Sequence, residues 1–175
     1  IECLDASLII AIRLTDSNKT VVFTYGDGNI IAKSKDLYSL ISIVYQYNAP
    51  KYLSYNTSEF RMNIFSESVK NGNTKKYYIN HNGKVEVRDG EPVDRSIFIF
   101  EDLDYIAICS DGIDSFVDSQ MQAVGSYDIS LKFTAFKNYN GEFVKRRLKA
   151  LERECIKSKM VHNDDISMAV IYSKE

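Results

Sequence analysis

The chain has 175 residues, enough for one domain with a substantial core, and its 45% hydrophobic and 26% charged content is an ordinary globular balance. A net charge of −2 supplies no long-range field to recruit nucleic acid or an anionic membrane. Its apolar runs fall far short of the roughly 20 residues a spanning helix needs.

In chain order, Ser7–Leu14 reads as a buried strand and Asp16–Lys19 as turn material, with Thr20–Tyr25 completing a hairpin. Gly26-Asp27-Gly28 allows a tight turn into a short third strand over Asn29–Ala32. Asp36–Tyr47 is ambiguous: Leu37, Leu40, Ile41 and Val44 follow helical spacing, while the β-branched content favours a strand. From Ala49-Pro50 to about Thr74 the polar, Asn- and Ser-rich text predicts a surface excursion with short pieces of structure. Lys75–Ile79 and Lys84–Arg88 flank an Asn-Gly hairpin signal at Asn82-Gly83. Ser96–Phe100 and Tyr105–Cys109 are two further apolar strands joined by an acidic turn.

After Gly112 the period changes. Ile113, Phe116 and Val117 suggest a short helix, and Ile129–Phe136 a second. Gly141–Met160 is the clearest helix, with Val144, Leu148, Leu151 and Cys155 on one face. Ile166–Tyr172 closes the chain as a strand. Strands first and helices late predict an α+β domain with a largely antiparallel sheet.

Cys3, Cys109 and Cys155 are odd in number, widely spaced and lack a Cys-x-x-Cys pair, so they are expected as buried thiols of a reducing, cytoplasmic compartment. No charged-then-apolar leader opens the chain, which gives no argument for secretion. His81 and His162 do not form a zinc-type pattern. The chain begins at Ile1 and is strand-like by Ser7, which suggests that an amino-terminal segment has been removed.

The chemistry-bearing stretches are Tyr105–Gly112, an apolar run ending on a carboxylate and a glycine, and Asp164–Ile171, which starts on carboxylates and continues apolar. As neighbouring antiparallel strands they would bring Asp111 and Asp164 to one sheet edge. Two carboxylates about 4 Å apart repel by about 1 kcal/mol in water and about 4 kcal/mol at an effective dielectric of 20, so such a pair usually implies a cation between them. Asp27 occupies a similar strand-to-turn position. Aspartate is common at turns, so no one of the three is diagnostic; their shared context is the signal. Mg²⁺ or Mn²⁺ would suit these oxygen donors and retain several waters. Gly112 would let the backbone approach an ion, and Asp165 is a supporting or capping residue rather than a ligand. The basic residues between Lys145 and Lys159, interrupted by Glu152 and Glu154, read as a solvated helix face, and His162 reads as a surface histidine.

These residues resemble the metal-dependent protein serine/threonine phosphatases of the protein phosphatase 2C type, particularly the bacterial branch. The resemblance is carried by Asp5-Ala6-Ser7-Leu8, Gly26-Asp27-Gly28, Pro50–Tyr55, Ser110-Asp111-Gly112 and Asp164-Asp165-Ile166-Ser167, in the family's order over nearly the whole chain. It implies a four-layer α-β-β-α sandwich, with a metal centre in the cleft between two antiparallel sheets. By position it makes Asp111 and Asp164 ligands of a dinuclear Mn²⁺ or Mg²⁺ pair and gives Asp27 a share, with Asp111, in a third and weaker ion. The implied reaction is hydrolysis of phosphoserine or phosphothreonine monoesters on a phosphorylated protein substrate, without nucleic acid or membrane and without a covalent nucleophile; Lys51–Thr74 occupies the family's variable flap. The family's phosphate-binding arginine, an acidic ligand and an Asp-Gly-His-Gly-type segment do not occur here. Residues 1–175 are therefore expected to be the carboxy-terminal portion of one phosphatase-like domain, missing its first strands and helices, with weak metal affinity and little turnover alone. A catalytically silent phosphatase-like binding module and an unrelated α+β interaction domain remain as alternatives.

Overall fold

The computed structural model describes residues 6–173, so the readings placed on Cys3 and Asp5 lie outside the described residues. The order is β1 (Leu8–Arg13), β2 (Lys19–Tyr25), β3 (Gly28–Lys33), β4 (Tyr38–Tyr45), a 3-10 turn at Leu53–Thr57, α1 (Glu59–Lys70), β5 (Lys75–His81) and β6 (Lys84–Gly90). There follow β7 (Ser96–Glu101), β8 (Tyr105–Cys109), a 3-10 turn at Asp111–Asp114, β9 (Phe116–Val117), α2 (Ser126–Phe133), α3 (Phe143–Ser158), β10 (Val161–His162) and β11 (Met168–Tyr172). The class is α+β, and every strand pairing is antiparallel. No helix among the described residues is long and apolar enough to cross a membrane.

Two sheets carry the fold. β1-β2-β7 form a three-stranded sheet, and β11-β8-β3-β4-β5-β6 a six-stranded one. Because side chains alternate along a strand, each strand of the large sheet supplies two cores. Ile30, Ala32, Ile41, Ile43, Ile79 and Ile106 pack with Val22, Phe98 and Phe100 of the small sheet and with Phe65 of α1. Ile31, Tyr38, Leu40, Ala107 and Cys109 point the other way and pack with Ile129 and Phe133 of α2 and Leu151 and Cys155 of α3. The Tyr38 hydroxyl ties sheet to helix, donating to Ser130 Oγ at 2.9 Å and lying 3.1 Å from Thr134 Oγ1. The small sheet, the large sheet and the α2–α3 pair make three layers, with α1 on the small-sheet side. The outer face of the small sheet leaves Ile10, Ile12, Ile97 and Ile99 exposed.

Several elements differ from the sequence reading. The ambiguous segment is β4, hydrogen-bonded on both sides and buried on both faces, so its apolar residues serve two cores rather than one helical stripe. The polar excursion contains a 12-residue helix, α1, started by Ser58, whose hydroxyl accepts from the Arg61 N–H. Its sparse core face, Met62, Phe65 and Val69, hides it in polar text. The short helix expected at Ile113–Val117 is instead the 3-10 turn followed by β9, which pairs with β10. α2 runs three residues earlier than expected at both ends, because Gly125 precedes it and Thr134 ends it. α3 keeps its predicted face and ends at Lys159, which adopts φ 54°.

Candidate functional site

Strand pairing alone positions the acidic residues. β8 and β11 are antiparallel neighbours with Cys109 opposite Met168, so the chain leaves β8 at Asp111 where the Asp164–Ser167 segment enters β11. β3 lies on the other side of β8, with Asn29 opposite Cys109, which brings the preceding Asp27 to the same sheet end. The sheet thus gathers Asp27, Asp111 and Asp164 from three sequence-distant turns.

The electrostatics register this gathering. The carboxyl of Asp111 titrates above the usual aspartate range, first because it is partly buried and then because the charges of Asp27 and Asp164 act on it, with Asp114 adding a smaller push. Asp27 is held by Ser7, whose hydroxyl donates to its carboxylate and accepts from its backbone N–H at 3.1 Å. Asp164 Oδ1 accepts the N–H of Asp165 at 2.7 Å. These bonds occupy one oxygen of each carboxylate, and a carboxylate carries two acceptor oxygens.

Two glycines bring the backbone in close. A Cβ on Gly112 would lie 2.2 Å from the Asp165 carbonyl oxygen, so only glycine permits this approach between the two acidic turns. Gly28 has φ 129°, and a Cβ there would meet the Cys109 carbonyl oxygen at 2.9 Å. Asp165 supports the site through its backbone: its carbonyl accepts from Ser110 Oγ at 2.9 Å. Ser110 also receives the Ser167 N–H on its hydroxyl at 3.0 Å and donates its own N–H to the Ser167 carbonyl at 3.1 Å.

A fully buried asparagine underlies this clamp and was not singled out from the sequence. Asn29 donates from Nδ2 to Asp114 Oδ2 at 3.0 Å and toward the Ser110 carbonyl at 3.4 Å, while its Oδ1 accepts from Ser42 Oγ at 2.5 Å. An asparagine inside an otherwise apolar strand was the available sign, since a buried amide needs partners. It links the strand that follows Asp27 to the turn that carries Asp111.

The remaining candidates sit as ordinary structural groups. His162 is exposed in β10, its ring 5.3 Å from Phe116 and its Nδ1–H donating to the Asp164 carbonyl at 2.9 Å. Burial pushes the Cys109 thiol up to about 12 and raises that of Cys155, so neither is an activated nucleophile. On the basic helix, Arg147 forms a two-pronged pair with Glu154 at 3.0 and 2.7 Å, and Arg146 bonds Asn138 and the Asn140 carbonyl.

Among the described residues, no group of three or more His, Cys, Asp or Glu side chains is disposed to hold a metal ion. The donor chemistry nevertheless fits a hard divalent cation. The strongest charges acting on Asp111 are carboxylates, and Mg²⁺ or Mn²⁺ completes its shell with water when few protein oxygens are present. The set matches such an ion in kind and falls short in number.

Asp27, Asp111 and Asp114 also line one end of a cavity of about 600 Å³ that continues over β4 and β5 toward β6. No family model, curated protein or solved structure matches this chain.

Proposed function

We propose that the chain belongs to a metal-dependent phosphatase that hydrolyses phosphoserine or phosphothreonine monoesters on proteins, with Asp111 and Asp164 binding Mn²⁺ or Mg²⁺ and Asp27 contributing to the same centre. One observation carries the reading: charges from two separate turns act on a partly buried Asp111 at a single sheet end. Bound ions of this kind would lower the pKa of a water and offset charge on the phosphoryl oxygens. The chain's own residues would hold and orient: Ser110 and Gly112 fix the distance between the acidic turns, and Asn29 fixes the turn bearing Asp111 and Asp114. In phosphoryl transfer such positioning and charge stabilisation account for most of the protein's contribution.

The four-layer arrangement belongs to the same proposal. The exposed apolar face of β1-β2-β7 is where a fourth, helical layer would pack, outside the small sheet. A catalytically silent, phosphatase-like module is the second reading, favoured by the short donor set and by Asp27 being held by Ser7.

Hydrolysis of a phosphoserine peptide by the full-length protein separates the two. The enzyme reading predicts turnover with Mn²⁺ or Mg²⁺, loss on chelation, and a fall of at least about a hundredfold in Asp111→Asn. Turnover that survives exhaustive chelation would remove the metal from the reaction. A full-length protein that binds Mn²⁺ without turnover would favour the silent module.

A further inference from the structure

The helices cover only part of the large sheet. The helix-side core takes its sheet residues from β3, β4 and β8, and from β11 at one edge. Beyond β4 the same face is open, and register identifies what it displays. Leu40, which packs into the helix-side core, stands opposite Asn80, and Asn80 opposite Val85; Ser42 stands opposite Tyr78, and Tyr78 opposite Val87. Directly paired residues point to the same side, so these residues share one surface. Tyr78 is 41% exposed and Val85 62%.

This surface is the floor of the 600 Å³ cavity, whose wall is the start of α2 at Gly125, Ser126 and Tyr127. Tyr127 is fixed there by an edge-to-face contact with Tyr38, ring centroids 5.6 Å apart. One end of the groove carries Asp27, Asp111 and Asp114, and the rest is apolar or neutral; no lysine, arginine or histidine lines it. Lys76, next along the same face, stands opposite Asp89 in register. A volume of this size falls in the range of sites that hold a drug-sized ligand, room enough for a few residues of a peptide.

We infer that this groove receives the residues flanking the phosphorylated side chain of a protein substrate, and that it selects apolar or aromatic flanks against acidic ones. The inference deepens the phosphatase reading and rests on it for the phosphate. The preference itself comes from the groove. An apolar floor rewards a Leu or Phe side chain, whereas a Glu or Asp would lose hydration there with no cationic side chain among the lining residues to receive it. The occupant is therefore an extended, non-acidic segment that continues from the acidic end across β4 and β5 toward the edge strand β6.

Fluorescence anisotropy with two labelled peptides tests this. Both carry a non-hydrolysable phosphonate analogue of phosphoserine, one flanked by Leu and Phe, the other by Glu at the same positions; each is titrated with Mn²⁺ and with chelator. The apolar peptide should bind about tenfold or more tightly, and Val85→Lys, a change at an exposed edge position, should erase that preference while the circular dichroism spectrum and melting temperature stay those of the wild type. Equal binding of both peptides, or a preference unchanged in Val85→Lys, would overturn the inference. Concentration-dependent self-association lost in Val85→Lys would assign the groove to a second copy and overturn it as well. A preference that Val85→Lys removes, in peptides whose binding Mn²⁺ does not strengthen, would leave the groove standing and count against the metal reading.

Discussion

Asp111 and Lys75 show how the same burial acts with opposite sign on two kinds of charge. Desolvation raises the carboxyl of Asp111 and lowers the ammonium of Lys75 to about 8. Lys75 is almost fully buried at the start of β5, where its ammonium donates to the Asp94 carbonyl at 2.6 Å and lies 5.7 Å from the Tyr77 ring centroid. The charges of Asp94 and Glu91 partly offset its desolvation, and that of Lys51 adds to it. The unfolded chain, with Lys75 near 10.5, holds a proton that the folded chain gives up near 8, so between those values stability from this group rises with pH. Compared with Lys75→Met by urea unfolding, the wild type should gain relative stability from about pH 8 to about pH 10.5 and no further. A stability difference that stays flat over this range would show that the ammonium is not desolvated in the fold.

Nothing in the sequence marked Lys75 as buried, and the one sign for Asn29 was its place in an apolar strand, because a lone polar residue has no period of its own. Asp27, Asp111 and Asp164 were legible for a different reason: each follows or precedes an apolar run, and strand ends must meet where strands pair. What the residues could not reveal is the orientation of each carboxylate. The bond between Ser7 and Asp27 joins positions twenty residues apart, and no local pattern encodes it.

Among the elements, strands bounded by turn residues were read most accurately, β8 to the residue, although β1, expected buried, is exposed on one face. The hairpin β5–β6 turns where Asn-Gly predicted it, with Asn82 at φ 48° and Gly83 at φ 88°. β4 and α1 were harder for opposite reasons. β4 is buried on both sides, which removes the alternation, and α1 contributes one fully buried residue, Phe65, which leaves almost no helical stripe. The two acidic turns depend on contact at element scale. Gly112→Ala places a Cβ 2.2 Å from the Asp165 carbonyl, so one turn must move. Overpacking of this kind costs about 1–3 kcal/mol, and for a domain of this size the expected fall in melting temperature is about 2–4 °C per kcal/mol. Hydrogen exchange should show the protected Ser110 and Ser167 amides opening together in the variant. An unchanged melting temperature with both amides still protected would mean that the turns are not in tight contact.

At the scale of the whole molecule, two sheets and a helical layer form a scaffold whose strand order, rather than any single motif, delivers three acidic turns to one end. The α+β class and the antiparallel pairing followed from the order of predicted elements. The stacking of small sheet on large sheet did not, because β7 joins β1 and β2 only through a long-range pairing, Val22 with Phe98 and Val21 with Ile99. The loop before β7 crosses between the sheets and is stitched by Lys51 donating to the Val93 carbonyl at 2.7 Å and by Tyr77 and Ser96 hydroxyls 2.8 Å apart. The outer face of the small sheet keeps its isoleucines exposed, a surface that a further layer would bury.

The most direct measurement is thermal unfolding of the full-length protein, wild type and Asp111→Asn, each at neutral pH with chelator and with millimolar Mn²⁺. Because the Asp111 carboxylate is raised by burial and by its neighbours, its ionised form weakens the metal-free fold above its pKa, and the asparagine variant should melt slightly higher in chelator. Mn²⁺ should raise the wild-type melting temperature, since a ligand that binds only the folded state at about a hundred times its Kd adds about 2.7 kcal/mol, and it should leave Asp111→Asn unchanged. A wild type that ignores Mn²⁺, or an asparagine variant that responds as strongly, would contradict a cation held among these three carboxylates.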